Sequence, residues 1–506
     1  MTELFGEVPK SSRLDSISKE ELIQRYLVME FELRQVLKEN YEFRQLKITD
    51  QQLQFIMQEQ LASLRHTLYG ASSERYKKPE KKDTPKGPPK PRVKKPSERY
   101  PNIPVREQVI AMDPIPSCES CGKTMSDSGM TEDSEQLTVI PKKYEIVLQK
   151  RVKYRCQCQS CVLSAPAPAR IIPGSTYSDE MIQDVVLSKY CDLIPIQRYV
   201  AMAGRSGLID LPSHSLIEVT HSFADFVSQA YTLVKQGVLT SRILRADETP
   251  HRMLEGSEKK SWYLWGFSTQ DFCFLECHDT RAGDVAGDIL VNSHCEILVS
   301  DKYAGYGKGT RIANKKRQGS GKPLIKNAYC NVHARRYFFE AWKKGYAEAE
   351  FYLDHYHEIY QLEPPAREQP PPEKMLELRA QMLPYFEAMK KRAIAELSAY
   401  PSQSGYGKAL GYYTGNYEGL TLCLADPEIP LDNNSQESLL RNHVVGRKTW
   451  YGTHSERGAL TAAILFSLVE TCRLNQVNPR EYFRCLVIDL LAGKKAYTPK
   501  DFRDQK

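Results

Sequence analysis

Three acidic residues, each in its own local motif, are the part of this sequence best suited to chemistry. Asp247 lies in R-A-D-E-T-P, Asp301 in I-L-V-S-D-K-Y-A-G-Y and Glu437 in D-N-N-S-Q-E-S. The first two follow apolar runs that read as buried strands, and the third lies where a helix begins. Carboxylate oxygens are hard ligands, and three of them brought together suit a pair of magnesium or manganese ions. Such a pair supports in-line displacement at a phosphodiester: one ion activates a water or a 3′-hydroxyl, the other stabilises the leaving oxygen.

Carboxylates held about one metal diameter apart must stand on rigid elements. The strand pattern begins near residue 241. Runs at 238–246, 261–268 and 272–278 read as strands, 283–291 as a short helix and 296–300 as a fourth strand. Three strands, a helix and a strand are the opening of a ribonuclease-H-like fold. In that sheet Asp247 ends the first strand and Asp301 ends the fourth, which lies beside it. Glu437 arrives from a distant helix, after a helical insertion at about 333–427 broken by a Pro-rich loop at 364–372. Helices return at 437–445, 461–474 and 482–491. Glu248 points to the opposite strand face from Asp247. Asp432 caps or orients the helix of Glu437.

The surroundings of the acids carry positive charge. Lys302, Lys315, Lys316 and Arg317 read as a basic, Gly-rich loop after Asp301. His333, Arg335 and Arg336 open the insertion as H-A-R-R. Arg441, Arg447 and Lys448 follow Glu437, with Trp450 and Tyr451 behind them. Cations interleaved with aromatics bind phosphates and stack splayed bases. A basic loop is also an ordinary solvated surface; its place beside the acids favours DNA.

The rest of the 506-residue chain divides by composition. Residues 16–70 form a leucine-zipper-like helical region, with Leu22, Tyr26, Met29, Leu33, Val36, Asn40 and Phe43 on a heptad seam. Both an intramolecular hairpin and a dimerising coiled coil satisfy that seam. Residues 71–104 are a Pro/Lys-rich linker with too few large aliphatics to fold alone, either a spacer or a basic arm for phosphates. Residues 105–170 hold Cys118-x-x-Cys121 and Cys156-Gln-Cys158-Gln-Ser-Cys161, separated by expected strands at 136–140 and 144–154. Paired knuckles at this spacing read as a zinc ribbon. The repeated x-x spacing favours Cys158 and Cys161 over Cys156 as the second pair of ligands. Residues 171–240 are helical, with 196–215 open to a helix-turn-helix or a plain packing bundle. The catalytic domain spans 241–445, and 446–495 is a C-terminal helical region. The fold class is thus multidomain α+β, with a ribonuclease-H-like core, a helical insertion, N-terminal coiled-coil helices and a zinc-ribbon domain.

Composition bounds the rest. Hydrophobic content of 41% and charged content of 26% are ordinary for a globular protein. No apolar run reaches membrane-spanning length. The start M-T-E-L-F-G-E-V-P-K lacks the basic residues and apolar run of a signal peptide, so a cytoplasmic, nucleoid-associated location is expected. The net charge of +7 is mild, so its distribution matters more than its total.

With these motifs in order, the chain resembles the bacterial insertion sequence 66 family of transposases, the large subunit with an Asp-Asp-Glu site. The resemblance rests on L-Y-G-A-S-S-E-R, the cysteine region closing in A-P-A-P-A-R, A-D-E-T-P, S-D-K-Y-A-G-Y, N-V-H-A-R-R-Y-F, L-D-N-N-S-Q-E-S, G-R-K-T-W and A-A-I-L-F-S-L-V-E-T-C-R-L-N. It maps the catalytic, metal-binding triad onto Asp247, Asp301 and Glu437. It departs at Gln436-Glu437-Ser438, where the family usually has Ala-Glu-Arg, and in the extra cysteine of the zinc region. The resemblance implies an enzyme that binds the inverted-repeat ends of its own element, cuts there and joins the freed 3′-hydroxyls to target DNA. It implies a dimer or larger assembly, since two ends must be paired, and an element that commonly encodes small accessory proteins. A catalytically inactive DNA-binding derivative and a ribonuclease-H-like nuclease that cuts without joining are the competing readings.

Overall fold

A computed structural model of the protein describes Phe31 and residues 95–505, apart from 128, 158–160, 256–258, 260 and 366–369. The expected zipper helices, nearly all of the linker and Cys158 lie outside the described residues. The described residues form two compact units, one of 151–203 with 210–505, the other of 95–150 with 204–209.

The smaller unit carries helix α1 (Pro96–Arg99), in what was expected to be the end of an extended linker. Its Ser97 donates from backbone N–H and hydroxyl to Glu135, both at 2.8 Å, which ties that end down. Cys118 and Cys121 sit in a tight knuckle. Gly122 N–H bonds Cys118 carbonyl at 2.8 Å, and Gly122 has φ +70°, a conformation that needs glycine. The strand expected at 136–140 does not form, and the one expected at 144–154 pairs only from Lys153 on. Their apolar side chains, Ile140 and Ile146 among them, stay exposed, so the run has no surface on which to bury a pleated face.

The larger unit opens with the pair β1 (Lys153–Arg155) and β2 (Val162–Ser164), antiparallel with Tyr154 opposite Leu163. Four helices follow: α2 (Asp179–Tyr190), α3 (Ile196–Arg205), α4 (Ser213–Phe226) and α5 (Ser228–Leu239). The second helix of the would-be helix-turn-helix, α4, buries Leu216, Val219 and Phe223. Its outer face presents Glu218 and Asp225, both paired with Arg457.

The centre is a mixed five-stranded sheet in the order β5-β4-β3-β6-β7. The strands are β3 (Ile243–Arg252), β4 (Ser261–Ser268), β5 (Cys273–His278), β6 (Ile297–Ser300) and β7 (Lys326–Tyr329). β3, β4 and β5 form an antiparallel meander, and β6 and β7 add in parallel. This α+β arrangement is consistent with a ribonuclease-H-like core. Residues 238 and 239, read as strand, complete helix α5 instead. The short β7 was not expected from its sequence.

Between strands run α6 (Gly283–Asn292) and α7 (Ala304–Arg317). The glycines after Asp301, read as loop-forming, serve a close helix crossing. A Cβ at Gly283 would meet Gly305 carbonyl oxygen at 2.2 Å, and one at Gly309 would meet Ala286 Cβ at 2.9 Å. Small residues four apart on both helices bring the backbones together.

The sheet is buried on both faces. Leu244, Ala246 and Leu298 point to one core, which also takes in α2, α4, α5 and α14 (Glu456–Leu474) with α15 (Pro479–Leu491) and α16 (Pro499–Asp504). The helical regions expected on either side of the catalytic domain therefore share its core. Alternate residues Ile297, Val299 and Ala328 point to the second core. There the insertion packs as α8 (Asn331–Lys343), α9 (Ala349–Leu362), α10 (Pro372–Glu396), α11 (Gly405–Gly415) and α12 (Tyr417–Ala425). The edge strand β5 is satisfied by α14: Leu275 N–H donates to Ser467 Oγ at 2.8 Å and Cys273 N–H to Thr471 Oγ1 at 3.1 Å. No helix among the described residues is long and apolar enough to cross a membrane.

Candidate active site

Asp247 does not end its strand. β3 continues to Arg252 because its ladder with β4 runs on to the pair Arg252–Ser261. What ends is the parallel pairing: β6 stays beside β3 only as far as Arg245–Val299. Two residues later Asp247 lies beyond the end of that pairing. Asp301 follows the last residue of β6, at the same edge, and its Oδ1 accepts from Tyr303 N–H at 2.9 Å.

Glu437 comes from the first turn of α13 (Asn434–Trp450). Asp432 accepts from Asn434 backbone N–H and side-chain amide, both at 3.0 Å, and so organises the helix start. Buried Asn433 fixes that start to the sheet by donating to Ala246 carbonyl at 2.9 Å. Gly266, opposite Asp247 on β4, makes room for the same turn: a Cβ there would meet Gln436 Nε2 at 2.4 Å.

The other acids act on Asp247. Burial raises the Asp247 carboxyl to about 8, and the charges of Glu248, Glu437 and Asp301 push in the same direction. Glu248 is on the other strand face. Its carboxylate is held by Arg281 at 2.5 Å and by Tyr306 hydroxyl at 2.5 Å, which commits it to the fold.

Two residues that sequence reasoning did not assign to the metal site also converge here. His333, in the first turn of α8, has Nδ1 3.9 Å from Glu437 Oε1. Cys330 follows β7, and ligand atoms of Cys330, His333 and Glu437 lie within 4.8 Å of one another. Glu437 Oε1 and His333 Nδ1 are buried without a hydrogen-bond partner. Buried polar atoms are normally satisfied, so an orphaned carboxylate oxygen beside an orphaned imidazole nitrogen fits a cation. The signal was the C-x-x-H spacing, unreadable until β7 was known to end at Tyr329.

The basic residues divide. Arg317 is not a DNA contact. It is 3% exposed, and its guanidinium donates to the carbonyls of Leu290, Ser293, Cys295 and Pro323. It neutralises the C-terminal carbonyls of α6, a task for a cation at a helix end. Lys315 and Lys316 are exposed, but they occupy the last turn of α7, roughly 17 Å along the helix from its start near Asp301. Lys302 is exposed beside Asp301 and donates to Tyr329 hydroxyl at 3.0 Å. Arg335 and Arg336 follow His333 on α8, half-buried. Arg441 and Lys448 are exposed on α13 at i+4 and i+11 from Glu437, on the same helix face. Half-buried Arg447 is lowered from the usual guanidinium range by burial and by the like charge of Arg252.

Residues 174–461, more than half of the chain and inclusive of all three acids, match the family described as Transposase IS66 family. The chain is 24% identical over 411 residues to the uncharacterized protein y4hP of Sinorhizobium fredii (strain NBRC 101917 / NGR234), spanning 77% of this chain and 72% of that one. It is 26% identical over 401 residues to the uncharacterized protein y4qI of the same organism, spanning 74% and 70%. The matched region carries the mixed sheet and the helix of Glu437, and the chain belongs to the IS66 family of transposases, enzymes of the DDE type.

Proposed function

We propose that this transposase binds the terminal inverted repeats of its element and carries out divalent-metal-dependent strand cleavage and strand transfer at Asp247, Asp301 and Glu437. The observation that carries the reading is the place of Asp247, a half-buried carboxyl raised first by burial, then by the charge of Glu248 and then by those of Glu437 and Asp301, within electrostatic reach of both other acids. Carboxyls crowded so that one holds its proton have a use when a cation displaces that proton. Asp247, Asp301 and Glu437 would hold the ions, which when bound lower the barrier to phosphodiester displacement.

The protein's own residues prepare the ground. Tyr303 N–H orients Asp301, Asn433 anchors the turn bearing Glu437, and Arg281 and Tyr306 keep Glu248 out of the ligand set. Arg441 and Lys448 extend the Glu437 face as a phosphate track. Burial and the like charge of Arg252 weigh on Arg447, a strain that a phosphate nearby would relieve. Cys118 and Cys121 supply a thiolate pair for structural zinc in this reading. Support comes from the knuckle, where backbone N–H groups of Ser120 and Cys121 lower the Cys118 thiol.

The test is strand transfer of a labelled element end into target DNA in magnesium. Asp247→Asn should reduce transfer about a thousandfold, a loss of the several kcal/mol that metal-bound charge supplies. Transfer undiminished in that variant would remove the assignment. Cleavage without joining by the wild type would favour a nuclease instead.

A further inference from the structure

We propose that His333 is a nitrogen ligand of the cation held by Glu437, which makes this a mixed imidazole–carboxylate centre. The proposal deepens the metal-dependent reading above and rests on it. Its basis is geometric. Helix α8 begins directly after β7, so its first turn lies at the same sheet edge as Asp301. That turn carries His333, and the first turn of α13 carries Glu437. Nδ1 of one and Oε1 of the other are 3.9 Å apart, too far for a hydrogen bond and suitable for two ligands of one ion. Neither atom has another partner. An imidazole left unpaired against a carboxylate would be a poor arrangement for packing alone.

Cys330 is the third group within reach, and its role is different. Its Sγ accepts from Asn433 N–H at 3.3 Å, which satisfies a donor at the start of α13. The thiol is buried and tied to backbone. It positions the turn that presents Glu437 and stays outside the ligand set.

Ligand type sets metal preference. Magnesium keeps almost wholly to oxygen donors, whereas manganese, the weakest binder of the first-row transition ions, shares those donors and also accepts an imidazole. The centre should therefore bind manganese more tightly than magnesium even without DNA. Manganese is also the informative probe, because it competes poorly for the cysteine knuckles.

The experiment uses the full-length protein, treated with chelator and loaded with manganese, and reads nitrogen modulation by pulsed electron paramagnetic resonance. Wild type should show modulation from a coordinated imidazole. His333→Gln, which offers an oxygen in a similar place, should still bind manganese but lose the modulation. His333→Ala should weaken manganese binding about tenfold while changing magnesium binding less. Cys330→Ser should keep the signal. Unchanged modulation in both His333 variants, or none in a manganese-loaded wild type, would overturn the proposal and leave the carboxylate site intact. Loss of the signal in Cys330→Ser with His333 present would overturn the division of roles. No manganese bound to wild type, or unaltered binding in Asp247→Asn, would instead count against the metal-dependent reading itself.

Discussion

Asp247 is where the electrostatics of the site concentrate. In the folded protein it keeps its proton up to about pH 8, whereas in an unfolded chain it would lose it near pH 4, about the value of a free aspartate. Between those values the folded state binds more protons, so the metal-free protein loses stability as pH rises. A cation reverses this, because it binds the ionised carboxylate and must displace the proton. Magnesium should therefore raise the melting temperature more at pH 9 than at pH 6. An equal shift at both values, or a larger one at pH 6, would contradict the linkage. The three acids were legible in the sequence because each sits in a short motif next to an apolar run. His333 was visible only as part of a basic cluster, because its partner Glu437 is brought to it by tertiary structure. The same limit misplaced Arg317: a cation among lysines reads as surface until its four carbonyl partners are seen.

At the scale of elements, two helix ends control the site's precision. Arg317 closes the C-terminus of α6, and removing it would leave buried carbonyls unpaired. Arg317→Ala should destabilise the protein by about 3 kcal/mol in denaturant unfolding. Lys315→Ala with Lys316→Ala should leave stability unchanged and weaken DNA binding with a shallower salt dependence. Asn433 closes the start of α13. Asn433→Ala should cost about 1–3 kcal/mol and slow strand transfer by loosening Glu437; undiminished transfer would show that the turn is held otherwise. Strand periodicity located β4, β5 and β6 well. It missed β7, where K-N-A-Y carries too little apolar pattern to stand out, and it misread α7. Glycines at 305, 307 and 309 suggest a loop when read locally, whereas Gly309 is required by the crossing with α6 and Gly305 by the Tyr303 ring at the start of α7.

For the molecule as a whole, the sheet is a shared wall between two cores, one completed by helices from both ends of the unit and one by the insertion. The architecture was legible from the order of strands and helices, but the boundaries were not. Segments that change from strand to helix along the chain look like separate domains until α2, α4 and α14 are seen to fill one core with β3 and β5. The cysteine region follows a different logic. Cys118→Ser should lower bound zinc, read by native mass spectrometry, and raise protease sensitivity between residues 105 and 170, because small cysteine-knuckle domains depend on their metal for order. Equal zinc content in the variant would remove that assignment.

The most direct measurement is anomalous diffraction at the manganese edge from crystals of the wild-type protein and of Asp247→Asn, each soaked in manganese. The account predicts strong density in the wild type touching the carboxylates of Asp247 and Glu437, with Asp301 completing the set, and its loss in the variant. Manganese bound only elsewhere, or the same density in both crystals, would contradict it.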